Sequence, residues 1–463
     1  MVTHQHFKEE AQRIVDWMDH YFDRLRELPV KSNVKPGAIY QQIPPEAPLE
    51  GEAIDHILND LDSIILPGIT HWQHPSFHAY FPANSSYESL FGEMVTAAIG
   101  AQCMVWETSP AAAELEQRVT EWMAKAAALP ETFTGVIQDS ASSATLVAII
   151  TARERATQFR SNIDGVPSGL RVYCSSEAHS SIEKGVGVAG IGRNNLVQIE
   201  TDAQQRMIPQ KLDEAIQNDL AAGRTPICVV AALGTTGTVA IDPINEIAHI
   251  CEKYKIWLHV DAAYAGAALL LPEYRSLFCG IECADSIVFN PHKWMFVNFD
   301  CSLYFVKNPD LLVRTFEILP EYLKTSTRGQ VNDYRDWGIP LGRRFRALKL
   351  WFVLRGFGLE AIRQKLREHI AFNEYFAEKI VQSGRFVLLK APFLGFTLFR
   401  VNTTDDADSE RLLAQVNASG KIYLSHTKVN GRFAIRFHST QTYITKEDID
   451  KAIDTLHYYC EQG

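Results

Sequence analysis

Apolar residues recur at steps of three and four along residues 5–28, from Phe7 to Leu25. This spacing predicts a helix with one apolar face, which Pro29 ends. Residues 29–51 contain five prolines and are predicted to be extended. A leading helix without a core of its own suggests that this segment wraps over another surface, and we expect that surface to be a neighbouring subunit.

Between about residues 134 and 306, short apolar runs alternate with segments of helical spacing, such as 209–222 and 243–255. The apolar runs are predicted strands: RVYC (171–174), LVQI (196–199), ICVVAAL (227–233), IWLHV (256–260), SIVF (286–289) and SLYFV (302–306). Apolar strands separated by helices indicate a largely parallel α/β sheet covered on both sides. Ligands of such sheets bind at the carboxyl ends of the strands.

After about residue 340 the pattern changes to long helical stretches, followed by a few strands, a predicted hairpin through 421–437 and a final helix at 446–460. The long helices are predicted at 341–355 and 359–383. Helices segregated from strands are typical of a small α+β domain. The predicted division is an amino-terminal arm (1–84), a large α/β domain (85–350) and a small carboxyl-terminal α+β domain (351–463).

Composition narrows the possible partners. The 463 residues carry a formal net charge of -10 without any block of lysine or arginine, which disfavours a nucleic-acid or anionic-membrane surface. The eight cysteines are scattered without a C-x-x-C pair, as expected of reduced thiols. We find no apolar run of the ~18 residues that a membrane helix needs and no leader pattern, so we expect a cytoplasmic protein.

The strongest chemical signal is a pair of strand ends. The predicted strand IWLHV runs into Asp261, and the predicted strand SIVF runs into Asn290-Pro291-His292-Lys293. Pyridoxal phosphate (PLP) needs two such groups: an amine that bonds to it, and a carboxylate that keeps its ring nitrogen protonated. Alone, Asp261 would be interpreted as a helix cap and Lys293 as a solvated loop residue. Together they favour a PLP site.

Long motifs carry a family resemblance over nearly the whole chain. They include HWQHPSFHAYFP (71–82), EAHSSIEK (177–184), HVDAAYAG (259–266), NPHKW (290–294) and DWGIPLGRRFRALKLWF (336–352). With these the sequence resembles the group II PLP-dependent decarboxylases, and within them the aromatic-L-amino-acid decarboxylases. The resemblance implies the type I PLP-enzyme fold (aspartate aminotransferase-like) and a homodimer with active sites at the subunit interface.

The resemblance also implies roles for single residues. Ala141 and Ser142 precede a helical run (144–156) and would cradle the cofactor phosphate at a helix start. Asp139 and Ser143 stand where many animal members have Gly and Glu, and an acid beside a phosphate site is unexpected. His179 would stack on the cofactor ring. The further cofactor contacts are expected from Thr236, Asp261, Ala263, Asn290, His292 and Lys293. As isolated residues, several of these would be read as turn formers or buried polar groups.

Tyr322 matches the tyrosine of the family's mobile catalytic loop, and the polar segment 323–334 suits a lid. The resemblance implies that Tyr322 returns a proton to the substrate carbon after carbon dioxide leaves. The catalytic set is therefore predicted as Lys293, Tyr322, His179 and Asp261. Family members with phenylalanine at this position tend to form aldehydes, so the tyrosine favours simple decarboxylation.

The substrate pocket is expected from the same resemblance. Its predicted residues are Trp72, Tyr80, Phe81, Pro82, Ala83, His179 and Gly342. Glycine at 342 accompanies indole- or catechol-accepting relatives, whereas Ala83 replaces a threonine of animal members. The preferred substrate among DOPA, tryptophan, 5-hydroxytryptophan and tyrosine stays open.

Two other patterns carry weaker signals. Gly185 to Gly190 satisfy G-x-G-x-x-G, but a dinucleotide site requires that the pattern directly follow a strand, and AHSSIEK intervenes. His71, His74 and His78 could suggest a metal site, yet they lack nearby cysteine or carboxylate ligands and are expected in the pocket wall.

The expected function is PLP-dependent conversion of an aromatic L-amino acid to the amine and carbon dioxide. Transamination, oxidative deamination to an aldehyde and another group II amino-acid specificity are the alternatives within PLP chemistry. A catalytically silent PLP-fold binding protein is the alternative of another class.

Overall fold

The computed structural model describes residues 4–318 and 329–462. Contacts between Cα atoms divide the chain into two units. The large unit comprises residues 81–371, and the small unit comprises residues 1–80 with 372–463. The three-part domain division made from the sequence stays a prediction.

The described residues form fifteen α-helices and eleven strands. The helices are α1 (His4–Arg24), α2 (Ile54–Asp60), α3 (Tyr87–Ile99), α4 (Pro110–Ala126), α5 (Ala141–Ala156), α6 (Ser161–Asp164), α7 (Ser181–Val188), α8 (Pro209–Ala221), α9 (Ile244–Tyr254), α10 (Pro291–Trp294), α11 (Pro309–Phe316), α12 (Arg346–Phe357), α13 (Leu359–Gln382), α14 (Asp406–Ala418) and α15 (Lys446–Gln462). The strands are β1 (Thr134–Gln138), β2 (Leu170–Ser175), β3 (Leu196–Ile199), β4 (Thr225–Ala232), β5 (Trp257–Asp261), β6 (Ser286–Phe289), β7 (Ser302–Val306), β8 (Phe386–Leu388), β9 (Phe396–Val401), β10 (Ser425–Val429) and β11 (Arg432–His438).

The large unit is built on a mostly parallel sheet, as predicted. Its described strands are ordered β1-β7-β6-β5-β4-β2-β3. The pairs β2–β3, β2–β4, β4–β5 and β5–β6 are parallel, whereas β7 runs antiparallel to both neighbours. Parallel neighbours need a crossover of a dozen or more residues, usually a helix. The link from β6 to β7 contains the four-residue helix α10, and β7 returns antiparallel beside β6.

Helix α5 brings one end of a helix to the carboxyl edge of this sheet. Ser140 caps it, since its hydroxyl oxygen accepts a hydrogen bond from the amide of Ser143. Small apolar side chains such as Ala144 and Ala148 are fully buried in a hydrophobic cluster of the unit. Their size lets α5 lie close against the strands, so its amino-terminal turn is held firmly in place.

The small unit contains an antiparallel sheet in the order β10-β11-β9-β8, flanked by helices. Phe376 stacks on Phe437 with ring centroids 3.6 Å apart, and both lie in a buried cluster with residues of α14 and α15. This is the α+β arrangement predicted from the carboxyl-terminal pattern.

Two predicted helices are shorter than expected. The first ends at Arg24 and continues as a 3-10 turn to Glu27. The helix predicted at 341–355 begins only at Arg346, and Gly342 disfavours helix in the turn that was predicted to open it. The described part of the chain contains no helix long and apolar enough to cross a membrane.

Candidate active site

The ends of strands β5 and β6 bring a carboxylate and an amine to the same edge of the sheet. Asp261 is the last residue of β5 and pairs in register with Val288 of β6. The amide of Asn290 donates a hydrogen bond of 3.0 Å to the carbonyl of Ala263, which ties the two following loops together. Lys293 lies one turn further, in α10.

These groups line a cavity of about 310 Å³ in the large unit. The cavity brings together all nine residues predicted as cofactor contacts: Ala141, Ser142, His179, Thr236, Asp261, Ala263, Asn290, His292 and Lys293. They come from the ends of several strands and from the start of α5, the usual position of a ligand in an open α/β sheet. The individual roles of these residues stay predictions.

Lys293 is the amine of the cavity. Burial lowers the pKa of its ammonium group, and the negative charge of Asp261 opposes this shift. Its Nζ lies 5.4 Å from the centroid of the Phe81 ring. The Lys293 carbonyl accepts a 2.7 Å hydrogen bond from the side-chain amide of Asn84. The backbone beneath the amine is thus held from a second segment.

Asp261 faces the cavity with an ordered carboxylate. Its Oδ1 accepts a hydrogen bond of 3.0 Å from the amide of Ala263. This local bond fixes the side-chain rotamer with one oxygen occupied. The carboxylate can therefore hold a cationic ring nitrogen in a defined direction.

The start of α5 supplies a place for an anion. The Ser140 hydroxyl is used as the helix cap at 3.1 Å from the Ser143 amide, and it donates to the Asp139 carboxylate at 3.2 Å. Ala141 and Ser142, by contrast, line the cavity. Amides and a hydroxyl at the first turn of a 16-residue helix suit a phosphate group. Asp139 lines a different cavity, where Arg343, Arg344 and Arg346 place basic side chains beside the acid.

Two histidines at the cavity have fixed tautomers. The Cys301 amide donates to His292 Nδ1 at 3.0 Å, and the Ser181 amide donates to His179 Nδ1 at 3.2 Å. An amide can only donate, so each neutral ring carries its proton on Nε2. Burial, and next the charge of Lys293, lowers the pKa of His292 to about 3. Burial also lowers the pKa of His179. Both rings are therefore neutral donors near pH 7.

The donor set matches PLP group by group. An amine can bond to its aldehyde, a carboxylate can hold its ring nitrogen, and a helix start can bind its phosphate. Ser302 donates to Asn290 Oδ1 at 2.7 Å, which leaves the Asn290 amide hydrogens for an acceptor on the ligand. The residues present therefore fit this cofactor.

The predicted substrate residues of the large unit line two different cavities. Phe81 and His179 line the cavity, and Pro82 and Ala83 follow Phe81 directly. Gly342 lies apart, in a second cavity of about 360 Å³ in the large unit that Gln102 and Arg343 also line. Trp72 and Tyr80 belong to the small unit, where their rings stack with centroids 5.7 Å apart. Tyr322 lies outside the described residues.

Sequence reasoning missed several residues that shape the site. Asn84 and Ser302 act through their hydrogen bonds to Lys293 and Asn290. The Tyr264 ring stacks between Phe81 at 4.0 Å and Trp294 at 5.0 Å, which makes one wall aromatic. Tyr264 follows Asp261 in HVDAAY, so its position could have been noticed. Nothing in the local sequence relates Asn84 to Lys293.

The two weaker sequence patterns have structural explanations. Gly185 and Gly187 lie inside α7 and not at the turn between a strand and a helix. Gly185 faces Ile149 of α5 at the distance of ordinary packing. His71 and His74 lie in the small unit, where Tyr21 and the Ser76 amide are their hydrogen-bond partners. Among the described residues no group of three or more His, Cys, Asp or Glu side chains could hold a metal ion.

Comparison with known proteins places this geometry in context. The pyridoxal-dependent decarboxylase conserved domain matches residues 36–402. Phenylacetaldehyde synthase of Arabidopsis thaliana is 41% identical, with 93% of this chain and 91% of that protein covered. Aromatic-L-amino-acid decarboxylase of Sus scrofa is 40% identical, with the same coverage of 93% and 91%.

Another relative is a longer protein, of which this chain spans about half. Histidine decarboxylase of Drosophila melanogaster is 41% identical over 96% of this chain, which spans 54% of that protein. Among solved structures, that of Oryza sativa TDC with PLP and tryptamine matches with a TM-score of 0.97 and 32% identity, covering 100% of this chain and 99% of that one. The structural match confirms the fold class predicted from the sequence.

Proposed function

Because the chain belongs to the pyridoxal-dependent decarboxylase family, we propose that it converts an aromatic L-amino acid to the corresponding amine and carbon dioxide. The family and its cofactor, pyridoxal 5′-phosphate, are confirmed. The observation that carries the proposal is that Asp261, at the end of β5, and Lys293, shortly after the end of the adjacent β6, line the same cavity.

The chain's own residues would hold the cofactor from three sides. Lys293 would bond to it through Nζ, and the lowered pKa favours the neutral amine that bonding requires. Asp261 would hold the ring nitrogen, and Ala141 and Ser142 the phosphate. When bound, the cofactor supplies an electron sink for the electrons left behind as carbon dioxide departs.

His179 and Tyr322 are proposed to act above the ring. The neutral His179 ring would stack on the cofactor face and orient it, with its proton on Nε2. Tyr322 would deliver the proton to the substrate carbon. The carboxylate loses its charge as it leaves, so exclusion of water from the cavity favours the step.

The aromatic substrate class is supported by the cavity wall and by the relatives. Phe81 and Tyr264 both line the cavity and give it an aromatic wall, which suits a flat apolar substrate group. The similarity to an aromatic-L-amino-acid decarboxylase agrees with this class. The relative named histidine decarboxylase keeps an imidazole substrate as a second candidate.

Aldehyde formation is the other candidate, since one relative is a phenylacetaldehyde synthase. Tyr322 is the feature that supports the amine product. The two reactions differ in their product and in the consumption of oxygen, so measuring both distinguishes them.

A homodimer is proposed as the working form. Five residues at helical spacing leave an exposed apolar stripe on α3: Tyr87, Phe91, Met94, Val95 and Ile99. Such a stripe on a folded surface is typical of an interface. Gly342 lies outside the cofactor cavity of its own chain, so a shared site would use the Gly342 of a second copy. The eight cysteines are free thiols, which supports a cytoplasmic location.

The experiment is incubation of the purified holoenzyme with tryptophan, DOPA, tyrosine, phenylalanine and histidine in turn. Carbon dioxide, amine, aldehyde and hydrogen peroxide are measured for each. Amine with equimolar carbon dioxide from an aromatic amino acid supports the proposal. Aldehyde with peroxide, or turnover of histidine alone, would replace it by one of the two alternatives.

A further inference from the structure

A buried imidazole connects the three elements that carry the cofactor groups. His259 lies two residues before Asp261 on β5, so both side chains point to the same face of the sheet. His259 Nδ1 lies 2.9 Å from the hydroxyl of Ser286 on β6. His259 Nε2 lies 3.1 Å from the hydroxyl of Thr145 on α5. The ring itself has no solvent exposure.

Each partner belongs to an element that ends at the cavity. Thr145 lies one helical turn after Ala141, which faces the proposed phosphate position. Ser286 begins the strand that leads to Asn290 and Lys293. The ring therefore spans from the phosphate-binding helix, through the strand of Asp261, to the strand of the catalytic amine.

The hydroxyl of Thr145 is oriented differently from those of other buried helical threonines. Thr96, Thr120 and Thr151 each donate to the carbonyl four residues earlier in their own helix. The Thr145 hydroxyl instead meets His259. A buried helical threonine ordinarily bonds within its own helix. The bond from Thr145 to His259 in place of that bond indicates that the contact between α5 and β5 has a role beyond satisfying the hydroxyl group.

Ser286 is oriented in turn by Trp257. The indole Nε1 donates to the Ser286 hydroxyl at 2.9 Å, and an indole can only donate. The Ser286 oxygen is thus occupied as an acceptor, so its hydroxyl hydrogen can be donated to His259 Nδ1 or to the neighbouring Tyr304 hydroxyl. Burial lowers the pKa of His259 to about 4, although Asp261 and the Ser286 backbone act to raise it. A neutral ring next to Asp261 does not compete with the cationic cofactor nitrogen for the carboxylate.

We propose that His259, bridging Thr145 and Ser286, is a positioning residue that sets Asp261 and the start of α5 at the spacing of the bound cofactor. The inference depends on the proposed cofactor role of Asp261. It adds residues that touch neither the cofactor nor the substrate.

The test uses holoenzymes of Thr145→Val, Ser286→Ala and His259→Gln. The matched control is Thr151→Val, which removes a buried hydroxyl from the same helix without touching His259. Three quantities are measured: the rate of PLP release on dilution, the pH dependence of the bound-cofactor absorption bands, and the thermal unfolding midpoint. Unfolding reports a purely structural effect, whereas the first two report the hold on the cofactor.

We expect Thr145→Val and Ser286→Ala to release PLP about 2- to 10-fold faster, the effect of one hydrogen bond. We also expect a shifted midpoint of the absorption bands, because Asp261 would sit differently relative to the ring nitrogen. Thr151→Val should change only the unfolding midpoint. The side chain of His259→Gln can keep one of the two hydrogen bonds, to Thr145 or to Ser286. Its rate of PLP release should therefore lie between that of wild type and that expected when both bonds are lost.

The inference is overturned if the Thr145 and Ser286 variants, like Thr151→Val, alter unfolding alone and leave PLP release and the absorption bands unchanged. If His259→Gln does not fold, the two hydroxyl variants decide the question. Failure of the proposed function is distinguishable, because wild-type holoenzyme would then form no amine while the variants could still release PLP faster.

Discussion

The amide of Asn290 donates to the carbonyl of Ala263 at 3.0 Å, and this bond closes the gap between the loops that follow β5 and β6. Since the two strands are already paired in register up to Asp261 and Val288, the bond extends their pairing beyond the sheet edge. The relative position of Asp261 and Lys293 is thus set by the sheet and not by flexible loops. The site should therefore tolerate little movement between these strands.

The first prediction concerns the amine. Lys293→Ala should abolish amine formation and remove the covalently held cofactor, because Nζ is the amine of the cavity. Lys307→Ala is the matched control, since Lys307 packs over the Phe133 ring away from the cavity. The measurements are turnover and the absorption of the purified protein. A borohydride-reducible cofactor link that persisted at the site in Lys293→Ala would show that another residue is the nucleophile.

The second prediction concerns Tyr322. Tyr322→Phe should retain PLP and bind substrate, but form amine about 10²- to 10⁴-fold more slowly, the usual value of a positioned general acid. Aldehyde, ammonia and peroxide should appear in its place under air. Amine and peroxide are assayed together on the same sample. Unchanged amine formation would mean that another group, such as His179, delivers the proton.

The third prediction concerns packing between β6 and the 3-10 helix Ala265–Leu270 that follows β5. A Cβ added to Gly266 would lie 2.3 Å from Phe289 Cβ and 2.9 Å from its Cγ. Gly266→Ala should therefore destabilise the fold by about 1–3 kcal/mol or more, as overpacking does, and lower PLP retention. The control Gly185→Ala meets its nearest atom at 3.4 Å within α7, and the helix propensity of alanine should make it neutral or stabilising. Equal thermal midpoints for the two variants would contradict this packing.

The fourth prediction concerns acid stability. Burial lowers the pKa of His78 to about 4 from the ordinary 6.5. Between pH 6.5 and pH 4 the unfolded chain therefore binds a proton at His78 that the folded chain does not. The contribution of His78 to the free energy of unfolding is fully present above pH 6.5 and is lost as the pH falls towards 4. Lowering the pH from 7 to 5 should reduce the free energy of unfolding by about 2 kcal/mol through this histidine alone.

His78→Phe tests this expectation, because the ring already stacks on Phe437 with centroids 4.3 Å apart. When the pH is lowered from 7 to 5, the free energy of unfolding measured in urea should fall by about 2 kcal/mol less in the variant than in wild type. The exposed His249 provides the control His249→Gln. If His78→Phe kept the full pH dependence of wild type, His78 would not be the group responsible.

The fifth prediction concerns assembly. Phe91 is 53% exposed in the middle of the apolar stripe on α3. Phe91→Asp should shift the protein from dimer to monomer in sedimentation at micromolar concentration, because a charge in an apolar interface costs several kcal/mol. Leu220→Asp, on α8, replaces an apolar residue that is 46% exposed and should leave the dimer intact. A Phe91→Asp protein that remained dimeric would exclude the stripe as the interface.

Much of the site was determined by local sequence. Strand patterns, turn residues and helix starts depend on neighbours in the chain, so the strand ends at Asp261 and before Asn290 could be predicted, and with them the meeting of Asp261 and Lys293. The helix α5 was predicted at 144–156 and begins three residues earlier, at Ala141, because Ser140 caps it. The family motifs added His179 and Thr236, which no periodicity would have singled out.

Other features depended on the tertiary structure alone. The bond from Asn84 to the Lys293 carbonyl joins residues 209 positions apart, and the bridge from Thr145 to His259 joins residues 114 positions apart. Such contacts arise when packed layers bring distant segments together, and no local pattern encodes which segments meet. The antiparallel direction of β7 and the separation of Gly342 from the cofactor cavity have the same origin. The sequence by itself thus determined the elements and the chemical groups, and packing decided which of them touch.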